Sequence, residues 1–388
     1  MHDREFERYR CAIMRGGTSK ALFFMENELP SDPVARDKVV LSAFGSPDPR
    51  QIDGLGGADT LTSKLAIIAP SSRADADIDY TFGQVAINDS FIDYVGNCGN
   101  ISSAVGPFAI EEGLVKVTEP VTYVRIHNTN TRKIYVAEVP TYRGRPRVLG
   151  DFHIAGVPRP GAEIVMDMAG TAGTVTGEML PTGNVKDRIT VAGLGEITVS
   201  LVDVANPMIF VNAHDVGATG TESAAEIDAN KELLRTLEAI RSVGAEMIGL
   251  VPSKAQATEK SPAFPMVAFV SSPKDYVDHL TKQNVPAESY DLLSRLLWMQ
   301  VTHKTYSGTA TVATGCAAVI PGTIVNEAVR RRGDPNILRI GHPGGVIPID
   351  VRAEIRDGKA VIVRAAISRT ARRLMDGYAY LPGDVLER

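Results

Sequence analysis

Short stretches in which apolar and polar residues alternate make up most of the chain. An alternation with a period of two is typical of β-strands that bury one face, and turn-forming Gly, Pro, Asn and Asp separate these stretches. The pattern is clearest at residues 20–25, 64–69, 81–86, 91–95, 121–126, 133–139, 197–204 and 360–365. It predicts a chain built mainly of short strands.

Helical patterns are few. Ser223 and Glu226 have the spacing of a capping box ahead of an apolar 3.6-residue period that runs to Ile240. A second apolar stripe, at residues 292–297, also has helical spacing. The segments 101–114 and 309–320 are apolar nearly all round, which is typical of buried helices.

These two buried helices organise the expected domains. Each lies among predicted strands and has a proline nearby, Pro107 or Pro321, which predicts a kink or break. A chain of 388 residues is long for one core. We therefore expect an α+β protein of two similar domains, 1–182 and 183–388, each a strongly bent sheet around one helix. The prediction leaves open whether about the last ten residues of the chain return to the first domain.

Composition and charge exclude several classes of protein. The net charge of −5 provides no basic field for nucleic acid. The charged N-terminus argues against a secretory signal, and no apolar window is long enough for a membrane span. Three cysteines, an odd number without a close pair, favour a reducing cytoplasm. The seven histidines form no i, i+4 pair and no CxxC is present, so we expect no metal site.

Cys98 is the residue whose sequence surroundings most strongly indicate reactivity. It lies in the sequence Gly-Asn-Cys-Gly-Asn, between a predicted strand and the predicted helix at 101–114. The unpaired N–H groups and the dipole at a helix N-terminus favour the thiolate over the thiol. The same N–H groups can hold a carboxylate. We interpret Cys98 as an acid–base thiol beside an anion cradle; the alternative is a small apolar residue at a tight turn.

Five motifs resemble the PrpF family over nearly the whole chain: MRGGTSK at 14–20, GGADTLTSK at 56–64, GNCGN at 96–100, GHPGG at 341–345 and ARRLMDG at 371–377. Its members include 2-methylaconitate isomerase, methylitaconate Δ-isomerase and 4-oxalomesaconate tautomerase. The resemblance implies the fold of diaminopimelate epimerase: two pseudo-symmetric domains, each a β-barrel around a central helix, with the active site between them. It also implies catalysis without metal or cofactor by the residues that match the family's pair, Lys64 and Cys98, and a homodimer.

Carboxylate-binding groups are expected around this pair. They are Gly17, Thr18, Ser19, Thr62, Ser63, Asn97, Gly99 and Asn100. The more distant resemblance to diaminopimelate epimerase implies further groups in the second domain, at Asn206, His303, Lys304, Ser307, Gly308 and Thr309. The epimerases place a second catalytic cysteine at that helix start, where this chain has none; Cys316 is expected about two turns inside the helix.

The expected reaction is a 1,3 proton shift that moves a double bond along a small unsaturated di- or tricarboxylate. Partial desolvation in the apolar run around Lys64 would favour a neutral amine that can act as the base, with Cys98 as its partner; the alternative is a solvated strand lysine. The sequence does not say which of the two begins as the base. Two other functions stay open: an epimerase or racemase, which the missing second thiol disfavours, and a non-catalytic protein that binds tricarboxylates.

Overall fold

The computed structural model describes residues 5–94, 96–154 and 156–387. The helices are α1 (Pro33–Phe44), α2 (Gly99–Glu111), α3 (Ala224–Ala229), α4 (Lys231–Met247), α5 (Ala257–Lys260), α6 (Gly308–Val319) and α7 (Ile324–Ala328). The strands are β1 (Phe6–Gly16), β2 (Ser19–Met25), β3 (Lys64–Pro70), β4 (Ile78–Val85), β5 (Ile92–Asp93), β6 (Val121–Asn128), β7 (Lys133–Tyr142), β8 (Arg145–Pro146), β9 (Ile164–Asp167), β10 (Asp187–Val191), β11 (Gly195–Val204), β12 (Asn206–Asn212), β13 (Met266–Ser271), β14 (Tyr276–Val277), β15 (Asn284–Val285), β16 (Leu292–Trp298), β17 (Val301–Thr302), β18 (Ile337–His342), β19 (Gly345–Arg356), β20 (Lys359–Arg369) and β21 (Ala371–Pro382).

The chain folds into two compact units. The first contains the described residues up to Met166 and those from Ser368 onward, and the second contains Asp167–Ile367. The second unit thus begins before the expected boundary at residue 183. Its early start has a local cause, because the Gly173 amide donates to the carbonyl of Asp203 in β11 and the Asp203 carboxylate accepts from the Val175 and Thr176 amides. The returning segment is longer than the ten or so residues expected.

The first unit is a sheet bent around α2. Strand β1 pairs antiparallel with β2, β2 parallel with β3, β3 antiparallel with β4, β4 parallel with β6, and β6 antiparallel with β7. The returning strand β21 pairs antiparallel along the whole of β1. Most of α2 is buried, and a Cβ on Gly106 would lie 2.8 Å from the side chain of Val139 in β7. Glycine at this position therefore lets the helix contact the sheet closely.

The second unit repeats this order of pairing around α6. Strands β11, β12, β13, β16, β18 and β19 follow one another with the same antiparallel–parallel alternation as β1, β2, β3, β4, β6 and β7. A glycine again faces the last strand of the series, since a Cβ on Gly315 would lie 2.8 Å from Ile349 in β19. The expected pseudo-symmetric α+β fold, with one central helix in each half, is confirmed.

Most of the predicted elements are present at or near their predicted bounds. All eight predicted strands are found. The strand predicted at 91–95 is shorter, at Ile92–Asp93, and Val95 lies outside the described residues. The prediction of a helix at 292–297 is wrong. These residues form β16, which is buried on both faces and therefore shows no alternation.

Two helix predictions need smaller corrections. The capping box of Ser223 and Glu226 is present, but it begins the short α3; Asn230 then caps a separate helix, α4. Pro107 lies within α2, which continues to Glu111, whereas Pro321 follows α6 after its C-cap at Ile320. In the described parts of the chain, no helix is both long and apolar enough to cross a membrane.

Candidate active site

Cys98 is the N-cap residue of α2, with extended backbone angles. Its carbonyl begins the helix by accepting from the Ser102 amide at 2.9 Å. No side-chain hydrogen bond to a described residue caps this end. The first amides of a helix lack intrahelical acceptors, so the start of α2 presents free N–H donors beside a half-buried thiol.

A polar network holds the backbone at Cys98 in place. The Ser102 hydroxyl lies 2.9 Å from the Cys98 carbonyl and 3.0 Å from Asn97 Oδ1, and the Tyr135 hydroxyl donates to Ser102 Oγ at 3.0 Å. Burial raises the pKa of both Tyr80 and Tyr135, and the nearby Cys98 adds a smaller Coulombic contribution to each rise. Two protonated phenols therefore lie near the thiol. Asn97 serves this network and frames the cysteine from its N-terminal side.

Lys64 is the first residue of β3 and lies in the same unit. Its side chain is buried, with only 6% of the residue exposed. The amine donates to Gln84 Oε1 at 2.6 Å and lies 5.4 Å from the centre of the Phe82 ring. Gln84 is itself held by the carbonyls of Ser63 and Thr60. Lys64 forms no ion pair with any described residue, so its amine is available to an incoming group.

The two residues before Lys64 have structural partners. The Ser63 hydroxyl accepts from the Gln51 amide at 2.8 Å and donates to the Val85 carbonyl at 3.0 Å. The Thr62 hydroxyl donates to the Asp59 carbonyl at 3.2 Å within a turn. Both hydroxyls thus shape the loop that leads into β3.

The Gly17–Ser19 turn between β1 and β2 lies against the start of α2. A Cβ on Gly17 would lie 2.2 Å from Asn100 Oδ1, so only glycine fits there. Asn100 Nδ2 donates to Thr18 Oγ1 at 3.0 Å. The Ser19 hydroxyl is buried and has no hydrogen-bond partner in the described structure. The structure therefore brings Thr18 and Asn100 together at the start of α2, while their role in binding a carboxylate stays a prediction.

One member of this cluster was absent from the sequence prediction. Arg369, the last residue of β20, donates from Nε to Asn100 Oδ1 at 3.1 Å and is almost completely buried. The sequence signal was an arginine at the end of the apolar run 360–367. It could not be interpreted alone, because Asn100 is 269 residues away along the chain.

In the second unit the predicted residues form a separate group at the start of α6. Ser307 is the N-cap, and its hydroxyl accepts from the Ala310 amide at 3.1 Å. Thr309 Oγ1 accepts from Asn206 Nδ2 at 2.8 Å, while the buried Asn206 Oδ1 has no partner in the described structure. Gly308 is buried in the first turn. At this helix start the Ser307 side chain satisfies one amide, and Asn206 occupies the Thr309 hydroxyl.

The remaining predicted residues of this unit differ in their surroundings. His303 accepts the Thr305 amide on Nδ1, and burial lowers its pKa, which makes it a neutral side chain at pH 7. Lys304 is exposed. Cys316 is completely buried inside α6, as predicted, and burial strongly raises its pKa. No group of three or more His, Cys, Asp or Glu within the described ranges could hold a metal ion.

Known proteins match this chain along nearly its whole length. The family model described as PrpF protein matches residues 6–382. The chain belongs to the PrpF family. The 3-methylitaconate isomerase of Eubacterium barkeri is 56% identical over 374 residues, which cover 96% of this chain and 97% of that protein. The 2-methyl-aconitate isomerase of Shewanella oneidensis is 41% identical and covers 96% of both chains.

A solved structure supports the same assignment. A methylitaconate-delta-isomerase crystal structure has 55% sequence identity and a TM-score of 0.90, and the match covers 99% of this chain and 98% of that one. The prediction of a PrpF-family isomerase is therefore confirmed. The roles of individual site residues stay predictions.

Proposed function

We propose that this PrpF-family isomerase moves a carbon–carbon double bond by a 1,3 proton shift in a small unsaturated di- or tricarboxylate, with Lys64 and Cys98 as its acid–base pair. One observation carries the proposal. A buried amine without an ion pair and a half-buried thiol at an uncapped helix start lie in the same unit, on β3 and at the N-cap of α2. Both groups can transfer protons near neutral pH when their surroundings are tuned for it.

The chemistry needs one base, one acid and a place for negative charge. One member of the pair removes a proton from the allylic carbon, and the electron pair spreads over the double bond and the adjacent carboxylate as a dienolate. The other member returns a proton at the far carbon. One C–H bond breaks and one forms, so the composition of the substrate is unchanged. Free N–H groups at the start of α2 are suited to stabilising the dienolate.

The relatives suggest which substrates to test first. The 56% identical relative is named for 3-methylitaconate and the 41% identical one for 2-methyl-aconitate. We therefore propose methylitaconate as the first candidate and 2-methylaconitate as the second. Gly17, Thr18, Gly99 and Asn100 are proposed to bind the substrate near Cys98. The group in the second unit that contains Asn206, His303, Lys304 and Ser307–Thr309 stays a proposed carboxylate site.

Proton NMR in D2O tests the function with a panel of 2-methylaconitate, methylitaconate, 4-oxalomesaconate with its keto tautomer, and trans-aconitate. We expect deuterium at an allylic position together with migration of the double bond for at least one compound. Deuterium at a stereocentre of an amino or hydroxy acid without migration would instead indicate a racemase. Tight binding of these acids without any exchange would indicate a binding protein, and either outcome would contradict the proposal.

Three further expectations accompany this function. We propose that the isomerase acts without a metal or other cofactor, so dialysis against EDTA should leave its rate unchanged. Three free cysteines support a reducing compartment such as the cytoplasm. A homodimer, expected from the family resemblance, is tested by light scattering on the eluted protein.

A further inference from the structure

Arg369 is a buried cation that has hydrogen bonds but no anionic partner. The residue is 6% exposed. Its Nε donates to Asn100 Oδ1 at 3.1 Å and its Nη1 donates to the Ser368 carbonyl at 2.9 Å. Nη2 donates to none of the described residues. Part of the guanidinium fork is therefore free.

Of the buried arginines in the described ranges, Arg241 has a carboxylate partner, whereas Arg295 and Arg369 have none. Arg241, which is 2% exposed, is paired with the Glu238 carboxylate at 2.6 Å. No carboxylate in the described ranges forms an ion pair with Arg369. An unpaired buried charge is strongly destabilising. Arg295 lies 5.0 Å from the centre of the Tyr276 ring, whereas Arg369 lies near Cys98 at the start of α2, where an anion can bind or form.

The surroundings of Arg369 place it beside the proposed reactive thiol. Burial lowers the pKa of Arg369 to about 10, and the nearby Cys98 acts in the opposite direction. The guanidinium is therefore charged at neutral pH. Asn100, which accepts from Arg369, is in the first turn of α2, two positions after Cys98.

The backbone around Arg369 is fixed by several contacts. The Gly17 amide donates to the Thr370 carbonyl at 2.9 Å. The Arg15 guanidinium donates to the same carbonyl at 2.9 Å and to the Gly17 carbonyl at 2.8 Å. Asn100 joins Arg369 to Thr18. The guanidinium is thus preorganised, which lowers the entropy lost when a ligand binds.

We propose that Arg369 binds a carboxylate of the substrate through its free Nη2 edge, while Asn100 holds the guanidinium in position. A guanidinium matches the geometry of a carboxylate and forms strong charge-assisted hydrogen bonds with it. The free N–H groups at the start of α2, the helix to which Asn100 belongs, favour the same ligand class. This assignment rests on the proposed function, because it concerns the carboxylate of the same substrate.

Three measurements test the assignment: the kinetics of variants, rescue by added guanidinium, and calorimetry. The first is the KM and kcat of Arg369→Gln and Arg369→Lys for the panel member that the wild-type protein converts. We expect Arg369→Gln to raise KM about 10–100-fold, as for the loss of a hydrogen bond to a charged group, with a smaller change in Arg369→Lys. Added guanidinium chloride should lower the KM of Arg369→Ala, and equal sodium chloride should not.

Arg373→Gln is the matched control. Arg373 lies on β21 and pairs with Glu111 and Glu112 at the opposite end of α2. Its loss should lower the melting temperature and leave KM unchanged. An unchanged KM in Arg369→Gln with a lower melting temperature would overturn the proposal. A shift only in the pH dependence of Cys98 alkylation, with KM unchanged, would also overturn it.

Calorimetry separates this proposal from the proposed function. The affinity for trans-aconitate is measured in Cys98→Ala and in the double variant Cys98→Ala with Arg369→Gln. Neither binding measurement requires the protein to convert its ligand. Weaker binding by the double variant supports Arg369 as the carboxylate ligand even if the wild-type protein converts none of the panel. Equal affinities, or no binding with Arg369 intact, would overturn the assignment.

Discussion

The starts of the two central helices have the same place in the fold but different chemistry. The N-cap of α6 is Ser307, whose hydroxyl accepts from the Ala310 amide, and the next turn is tied to Asn206 through Thr309. The N-cap of α2 is Cys98, which makes no such bond within the described structure. The corresponding strands of the two units also differ in their first residue. Strand β3 begins with Lys64, and its counterpart β13 begins with Met266.

Under the proposed function, this difference assigns the acid–base pair to only one of the two repeated units. A serine N-cap stabilises its helix by satisfying an amide, whereas a cysteine leaves that amide free. The first unit therefore lacks this cap, and its proposed acid–base residues occupy the positions where the second unit has a capping serine and Met266. The lack of a thiol at the start of α6 also agrees with the prediction against a two-cysteine racemase.

The largest expected effect follows from giving the first unit the residues of the second. Lys64→Met and Cys98→Ser should each lower kcat about 10³-fold, because each removes one member of the proposed acid–base pair. The rate is measured by NMR on the converted substrate, and circular dichroism checks that the variants fold. Full activity in either variant would show that the assigned pair is wrong.

The second prediction compares Cys98 with the cysteine inside α6. Burial raises the pKa of Cys11 and Cys316, whereas Cys98 is half-buried at a helix start. Iodoacetamide at pH 7 should therefore alkylate Cys98 first, and the loss of activity should be proportional to the fraction of Cys98 that is alkylated. Peptide mass spectrometry identifies the modified site. Modification of Cys11 or Cys316 before Cys98 would contradict the environment described for the thiol.

A third and smaller effect concerns the partner of Lys64. Gln84→Glu places a carboxylate where a neutral amide now accepts from the amine at 2.6 Å. The new ion pair should hold the amine in its charged form and lower kcat about 10-fold near neutral pH, with some recovery as the pH rises, if Lys64 is the base. Gln84→Met serves as the control without a charge. An unchanged pH–rate profile would argue against Lys64 as the base.

The smallest effect is on stability. Ser307→Ala removes the N-cap of α6 and should cost about 1 kcal/mol, seen as a lower melting temperature. Cys98→Ser should have the opposite sign, since a serine can cap α2, and should raise the melting temperature while it abolishes activity. A fall in both variants would mean that capping does not explain the difference between the two helix starts.

The sequence predicted the position of Cys98 at the start of a helix, and the structure confirms that position. Cys98 and its flanking residues were assigned to a helix start because an apolar run follows a short strand. The alternation of apolar and polar residues did not identify a strand that is buried on both faces. Strand β16 is the example, because its residues Leu292–Trp298 show no alternation. It also failed for Arg369 and Gln84, because their importance depends on Asn100 and Lys64, which are distant in sequence and meet only after the strands have paired.

The pairing of β21 with β1 has a consequence for synthesis on the ribosome. The strand beside Phe6–Gly16 is supplied by Ala371–Pro382, so the first unit lacks a strand until the chain is nearly finished. The intervening second unit takes roughly 10–40 s to translate at about 5–20 residues per second. Arg369 also emerges in this last stretch. The nascent first half should therefore wait, incomplete and without its buried arginine, for the end of translation.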